Sequence, residues 1–121
     1  MSRPLPIYEP FAVVRVPFPF TDPAVQRRRP ALVISAPPFQ QGSAHVLLAM
    51  ITTARRSNWR LDWPIQDLTS TGLRQACSVR LKLFTLDERL ILGHLGQLTG
   101  NDRIGVHENL RRLIAHEVEG P

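Results

Sequence analysis

Short β-branched runs, each cut off by proline or a polar loop, limit most strongly what this chain can become. Phe11 to Phe18 reads Phe-Ala-Val-Val-Arg-Val-Pro-Phe. Its valines predict a strand, and Pro17, which has no N–H to give a ladder, predicts its end. Pro19 and Pro23 make Phe18 to Asp22 a stiff, extended loop, and Gln26 to Arg29 follows as a polar, basic stretch. Ala31 to Ser35 is a short apolar run read as a buried strand, closed by Pro37-Pro38. Gln40 to Ser43 reads as loop. His45 to Thr52 (His-Val-Leu-Leu-Ala-Met-Ile-Thr) is the strongest strand signal, and a polar loop with arginines runs from Thr53 to Arg60.

Beyond Thr53 the signals weaken. Leu61 to Ile65 reads as a short strand, Ser70-Thr71-Gly72 as a turn, and Cys77 to Phe84 as a half-buried strand, since Val79 and Leu81 alternate with polar residues. Thr85 to Glu88 has capping-box spacing and predicts a helical turn. Leu92 to Leu98 reads as a last strand, kept short by Gly93 and Gly96. Thr99 to Asp102 repeats the cap spacing. Val106, Leu110, Leu113 and Glu117, with Ile114 beside them, predict one face of a closing helix, with Arg111 and Arg112 on the polar side. The expected order is several short strands, then one helix against the sheet: a mainly β (α+β) class in one domain over 1–121.

Composition narrows the function. The 121 residues suffice for one core without metals or disulfides. Cys77 is the sole cysteine, which excludes an intrachain disulfide and a four-cysteine zinc site and fits a reducing compartment. The first residues hold no apolar leader, and no apolar run reaches membrane-spanning length, so a soluble, cytoplasmic protein is expected. The net charge is +5, and Lys82 is the only lysine among 15 basic residues. Arginine's planar fork matches two phosphate oxygens at once, so an anionic partner is expected, although a bias toward arginine codons would give the same count. No metal site is indicated, since His107 and His116 are nine apart and fall on opposite faces of a helix. Cys77, Ser35 and Ser78 read as structural rather than nucleophilic.

Val16-Pro17-Phe18-Pro19-Phe20-Thr21-Asp22, followed by Arg28-Arg29-Pro30-Ala31-Leu32-Val33-Ile34-Ser35, resembles the PemK/MazF family of toxin endoribonucleases. Met50-Ile51-Thr52, Gly72-Leu73, Ser78-Val79-Arg80, Leu83 to Asp87 and Leu95 to Leu98 follow in the family's order, so the resemblance spans about Pro10 to Ala115. It implies an SH3-like small β-barrel with a C-terminal helix, usually a homodimer. It also implies metal-independent, cofactor-free cleavage of single-stranded RNA, commonly mRNA. A cognate antitoxin with an acidic C-terminal segment would neutralise the toxin and bind DNA together with it.

Cleavage without a metal uses the substrate's 2′-hydroxyl as nucleophile and leaves a 2′,3′-cyclic phosphate and a 5′-hydroxyl. Arg29, beside rigid Pro30 at a loop-to-strand junction, is placed to stabilise the phosphorane, and Thr52, at a strand end, to donate to a phosphate oxygen. These two match the family's catalytic arginine and threonine. Arginine stays protonated and makes a poor base, so the general base is unassigned. His45 begins the strand that Thr52 ends, too far away to share one phosphate. Arg28 is either a phosphate contact or a solvated arginine, and Arg27 reads as a solvated charge. Thr53, Phe20 and Trp59 are the other candidate RNA contacts. Trp59, among Arg55, Arg56 and Arg60, suits RNA or antitoxin, whereas packing fits Phe20 and Trp63 at least as well.

The chain departs from the family in reading Phe11-Ala12 where many members carry Gly-Asp. That keeps open a non-enzymatic alternative on the same barrel, either an inactive RNA- or protein-binding member or a relative of the gyrase-poisoning toxins. The latter share a C-terminal Trp-Gly-Ile, whereas this chain ends His-Glu-Val-Glu-Gly-Pro.

Overall fold

The computed structural model describes residues 4–18, 27–53 and 58–115. Six strands form one antiparallel sheet: β1 (Ala12–Phe18), β2 (Arg27–Val33), β3 (His45–Thr52), β4 (Trp63–Pro64), β5 (Ser78–Asp87) and β6 (Gly93–Gln97). Helix α1 (Pro37–Ser43) lies between β2 and β3, and α2 (Gly100–Leu113) follows β6. The sheet order is β4-β5-β3-β2-β1-β6, curled into a half-barrel with the C-terminal helix, which agrees with the expected fold class.

Both faces of the sheet are buried. On one face Val13, Leu32, Ala49, Ile51 and Val79 pack with Val106 of α2. On the other, Val14, Val16, Ala31, Val33, Val46 and Leu48 pack with Tyr8 of the N-terminal stretch. We call these the helix face and the strap face. Successive strand residues point to opposite faces, so two buried faces require an unbroken apolar run. That is why Ala31–Val33 and Val46–Ile51 show no polar alternation.

Several elements differ from the sequence expectations. β1 runs through Pro17 to Phe18, and β2 begins at Arg27, because Phe18, Pro17 and Val16 pair with Arg27, Arg28 and Arg29. Arg29 therefore sits inside a strand rather than at its junction with a loop. Residues Pro37 to Ser43 are helical, not a terminator and loop: Pro37 opens the helix, where its fixed φ suits the first turn, and Ala44 closes it at φ 59°. The expected strand Leu61–Ile65 shrinks to Trp63–Pro64, because only those two residues pair with β5. β5 extends through Asp87, since Thr85, Leu86 and Asp87 pair with Leu47, Val46 and His45. The cap at that point is Asp87, whose carboxylate accepts the Arg89 N–H at 2.9 Å.

Helix α2 buries a different stripe from the apolar one. Its buried residues are Asp102, Gly105, Val106 and Asn109. Leu110 is half-buried, Leu113 and Ile114 are exposed, and Glu117 lies outside the described residues. Thr99 caps the helix without its side chain. The Asp102 carboxylate, 1% exposed, instead accepts Trp63 Nε1–H at 2.9 Å, Gln66 N–H at 2.8 Å and Asp67 N–H at 2.9 Å. Asn109 donates to the Leu61 carbonyl at 3.0 Å. Gly105 lies against the Trp63 ring, which leaves no room for a Cβ there. These contacts fasten the chain before β5 to the helix.

Phe11 stands where the family resemblance places glycine, and its φ is 71°, the left-handed value glycine adopts freely. A side chain there costs about 1–2 kcal/mol. It is offset by ring packing on the helix-face core and by Arg103, whose guanidinium carbon lies 4.9 Å from the ring centroid.

Candidate nucleic-acid interface

The strand ends carrying Arg29 and Thr52 meet at one edge of the curled sheet. The β2–β3 ladder runs from Val33 opposite Leu48 to Ala31 opposite Met50. Arg29 and Thr52 each lie two residues past that last pair, so alternation puts both on the strap face. Ser78 faces Thr52 across β5, and Arg80 faces Met50, so both share that face. Arg28 alternates to the helix face with Leu32. The sheet thus brings the two catalytic candidates to one side and separates Arg28 from them.

A cleft of about 410 Å³ opens at the same edge, lined by residues of both faces. Arg27, Arg28, Arg29, Thr53, Arg74 and Gln75 line it over a floor of Ile51, Leu73 and Cys77. Among the described residues no carboxylate or histidine lines it, and none of the described carboxylates pairs with its four arginines. Fixed positive charge without counter-charge in a concave site attracts anions. Thr52 lines a smaller adjoining cleft of about 180 Å³, joined to the first through Thr53 and Cys77. Arg74 was not singled out in the sequence, because one arginine after a turn carries no signal until the fold sets it opposite β2. Arg27, read from sequence as a solvated charge, lines the cleft as well.

The remaining candidates lie elsewhere. Trp59, 45% exposed, packs against Arg80, whose guanidinium carbon is 5.1 Å from the ring centroid. Trp63 is held by Asp102 and packs on the core, the structural reading of that residue. Phe20, Arg55 and Arg56 fall outside the described residues. His45 is at the other end of β3 from Thr52, about 23 Å away at strand rise, with Nδ1 2.9 Å from the Ser43 carbonyl. Ala12 replaces the family's aspartate four residues along β1 from Val16, the partner of Arg29, so a carboxylate there would lie about 13 Å from that pair. Among the described residues no three of His, Cys, Asp or Glu gather to hold a metal, and no helix is long and apolar enough to cross a membrane.

Burial shapes the titrating groups nearby. It pushes the Cys77 thiol up, and the Sγ lies 3.2 Å from the Gln75 carbonyl. A raised thiol is poorly nucleophilic at neutral pH. The folded protein should therefore react with iodoacetamide at pH 7.5 at least about tenfold more slowly than the urea-unfolded chain, read by mass spectrometry. Equal rates would show that Cys77 is open to solvent. For Asp62, burial pushes upward, but hydrogen bonds from the Arg80 side chain and the Trp59 N–H outweigh it and hold the carboxyl below its usual range.

The chain matches, over residues 9–114, the family described as PemK-like, MazF-like toxin of type II toxin–antitoxin systems. It is similar in structure to an endoribonuclease in complex with its cognate antitoxin from a mycobacterial species, at 18% identity and TM-score 0.70, covering 87% of this chain and 92% of that one. A second similar structure, an endoribonuclease from a mycobacterial species, is 19% identical with TM-score 0.68, over 89% and 91%. MazE–MazF from Deinococcus radiodurans is 20% identical with TM-score 0.69, over 89% and 96%. At these identities the likeness speaks for the fold. No curated protein matches the chain.

Proposed function

The chain belongs to the PemK-like, MazF-like toxins of type II toxin–antitoxin systems, and from that premise we propose that it is an endoribonuclease cutting single-stranded RNA without a metal. One observation carries this reading: Arg29 and Thr52 share a face at the edge of a cleft lined by four arginines and, among the described residues, no carboxylate. In the proposed reaction the 2′-hydroxyl attacks the adjacent phosphorus and the 5′-oxygen leaves, giving a 2′,3′-cyclic phosphate and a 5′-hydroxyl. Arg29 offers fixed donors to the extra charge of the phosphorane, and Thr52 donates to a phosphate oxygen. Arg28 and Arg74, across the cleft, hold neighbouring phosphates and set the register of the strand. No described histidine or carboxylate lines the cleft.

The partners follow from the same family. An antitoxin with an acidic C-terminal segment suits the arginine cleft, whose charge it would neutralise. A homodimer is supported by an apolar groove of about 360 Å³ between α2 and the sheet, lined by half-buried Ile34, Leu47, Leu83 and Leu110 and by Ile114. The reading places the protein in the cytoplasm, with its transcripts.

The purified protein in excess EDTA should cut unstructured RNA and leave ends that polynucleotide kinase labels without prior phosphatase treatment. RNAs of varied sequence left intact at high protein concentration would overturn the nuclease reading and favour a binding protein on the same sheet.

A further inference from the structure

Asp62, Arg80 and Trp59 form a unit on the strap face beside Thr52. The Asp62 carboxylate takes two parallel bonds from Arg80, Nε–H to Oδ1 at 3.2 Å and Nη2–H to Oδ2 at 2.9 Å. That fork fixes the plane of the guanidinium. The same carboxylate accepts the Trp59 N–H at 3.0 Å, while the Trp59 carbonyl accepts the Asp62 N–H at 3.0 Å, closing a tight turn. The Arg80 and Asp62 side chains are only 11% and 10% exposed, whereas Trp59, whose ring Arg80 packs against, is 45% exposed. The chain thus sets a desolvated ion pair beneath an aromatic ring that remains open to solvent.

We infer that Trp59, positioned by the Arg80–Asp62 pair, is a stacking platform for an unpaired RNA base next to the cut; this rests on the RNA-cleaving reading above. Arg80 lies two residues along β5 from Ser78, the partner of Thr52. From β2, which carries Arg29, to β5 is about 10 Å at the spacing of strands. A nucleotide whose phosphate meets Arg29 and Thr52 therefore has a neighbour whose base reaches Trp59. A flat ring that is partly open to solvent and whose backbone is already held loses little freedom on stacking. Asp62 neutralises Arg80, so the pair under the ring adds no surplus charge of its own and leaves the π-face as the contact offered to a base.

The test uses the full chain, an RNA that it cleaves, and the 2′-deoxy oligonucleotide of the same sequence, which binds without being cut. Trp59→Leu should weaken binding of the deoxy strand about tenfold or more and raise KM for cleavage in step, with kcat nearly unchanged. Trp59→Phe should restore most of the loss. An abasic site at one nucleotide should weaken wild-type binding by a similar factor and add nothing in Trp59→Leu. Asp62→Asn should give a smaller version of the same KM effect, since it loosens Arg80 without removing the ring. Wild-type KM in Trp59→Leu, or abasic effects that add to it at every position, would overturn the platform and leave the nuclease reading standing. Unchanged RNA binding with lost binding to an acidic, apolar peptide would also overturn it and assign the surface to a protein partner. A wild-type chain that neither binds nor cuts RNA would remove both readings.

Discussion

Arg29→Ala should lower the rate of RNA cleavage by about a hundredfold to a thousandfold, the loss typical of removing one preorganised donor from a developing oxyanion. Thr52→Val, which keeps the shape of the side chain and deletes its hydroxyl, should cost a comparable factor in kcat with little change in KM. Their shared strap face is the ground for expecting the two to act together: each lies two residues beyond the Ala31–Met50 pair, on neighbouring strands. Arg28→Ala and Arg74→Ala should behave differently. Both line the cleft, so their loss should raise KM, leave kcat nearly intact and flatten the salt dependence of binding. Single-turnover kinetics over a salt series separates the two patterns. Equal losses at all four positions would mean that the arginines act as one diffuse field rather than in distinct roles.

Asp102→Ala should destabilise the fold by about 3–5 kcal/mol. Three donors, Trp63 Nε1–H and the N–H groups of Gln66 and Asp67, would be left without their acceptor in a buried place, at about 1–3 kcal/mol each, partly offset by losing a buried carboxylate. For a chain of this length the fall in Tm should be roughly 10–20 °C. Thr99→Ala is the control. Its side chain makes no cap bond, so its cost should stay below about 1 kcal/mol. A Tm within two or three degrees of wild type (about 1 kcal/mol or less) would show that Asp102 is not the fastening point. The effect should also reach the interface. Asp102 secures the chain before β5, and that chain supplies Leu73, Arg74, Gln75 and Cys77 to the cleft. RNA binding should weaken well below the melting temperature.

Much of the strand framework was legible because it rests on local chemistry. His45–Thr52 emerged with its expected bounds, since no polar residue or breaker interrupts Val46 to Ile51. Elements governed by a partner in space were misread. Pro37-Pro38 marks the end of one strand and the start of a helix equally well, and only Gln40 resolves it. Its side chain accepts the Tyr8 N–H at 2.9 Å and donates to the Pro6 carbonyl at 2.8 Å. The cap spacing at Thr85 lost to cross-strand pairing with β3. The stripe on α2 was read from apolar residues alone, yet Asp102 is as deeply buried as Val106, and its donors come from more than thirty residues away.

The sequence by itself determined the class of the fold and the family, and it nominated an arginine before Pro30 and a threonine at the end of the central strand as candidates. Those are properties of short segments: β-branched runs, proline positions and a motif read in order. Tertiary structure decided which side chains share a face. Alternation along β2 places Arg28 and Arg29 on opposite faces, a distinction that follows only from the strand's extension to Arg27 and its register against β1 and β3. It also decided that Arg74 joins the cleft and that Arg80 and Asp62 hold Trp59. The residues involved are far apart in the chain, and only the curl of the sheet and the fastening at Asp102 give them a common surface.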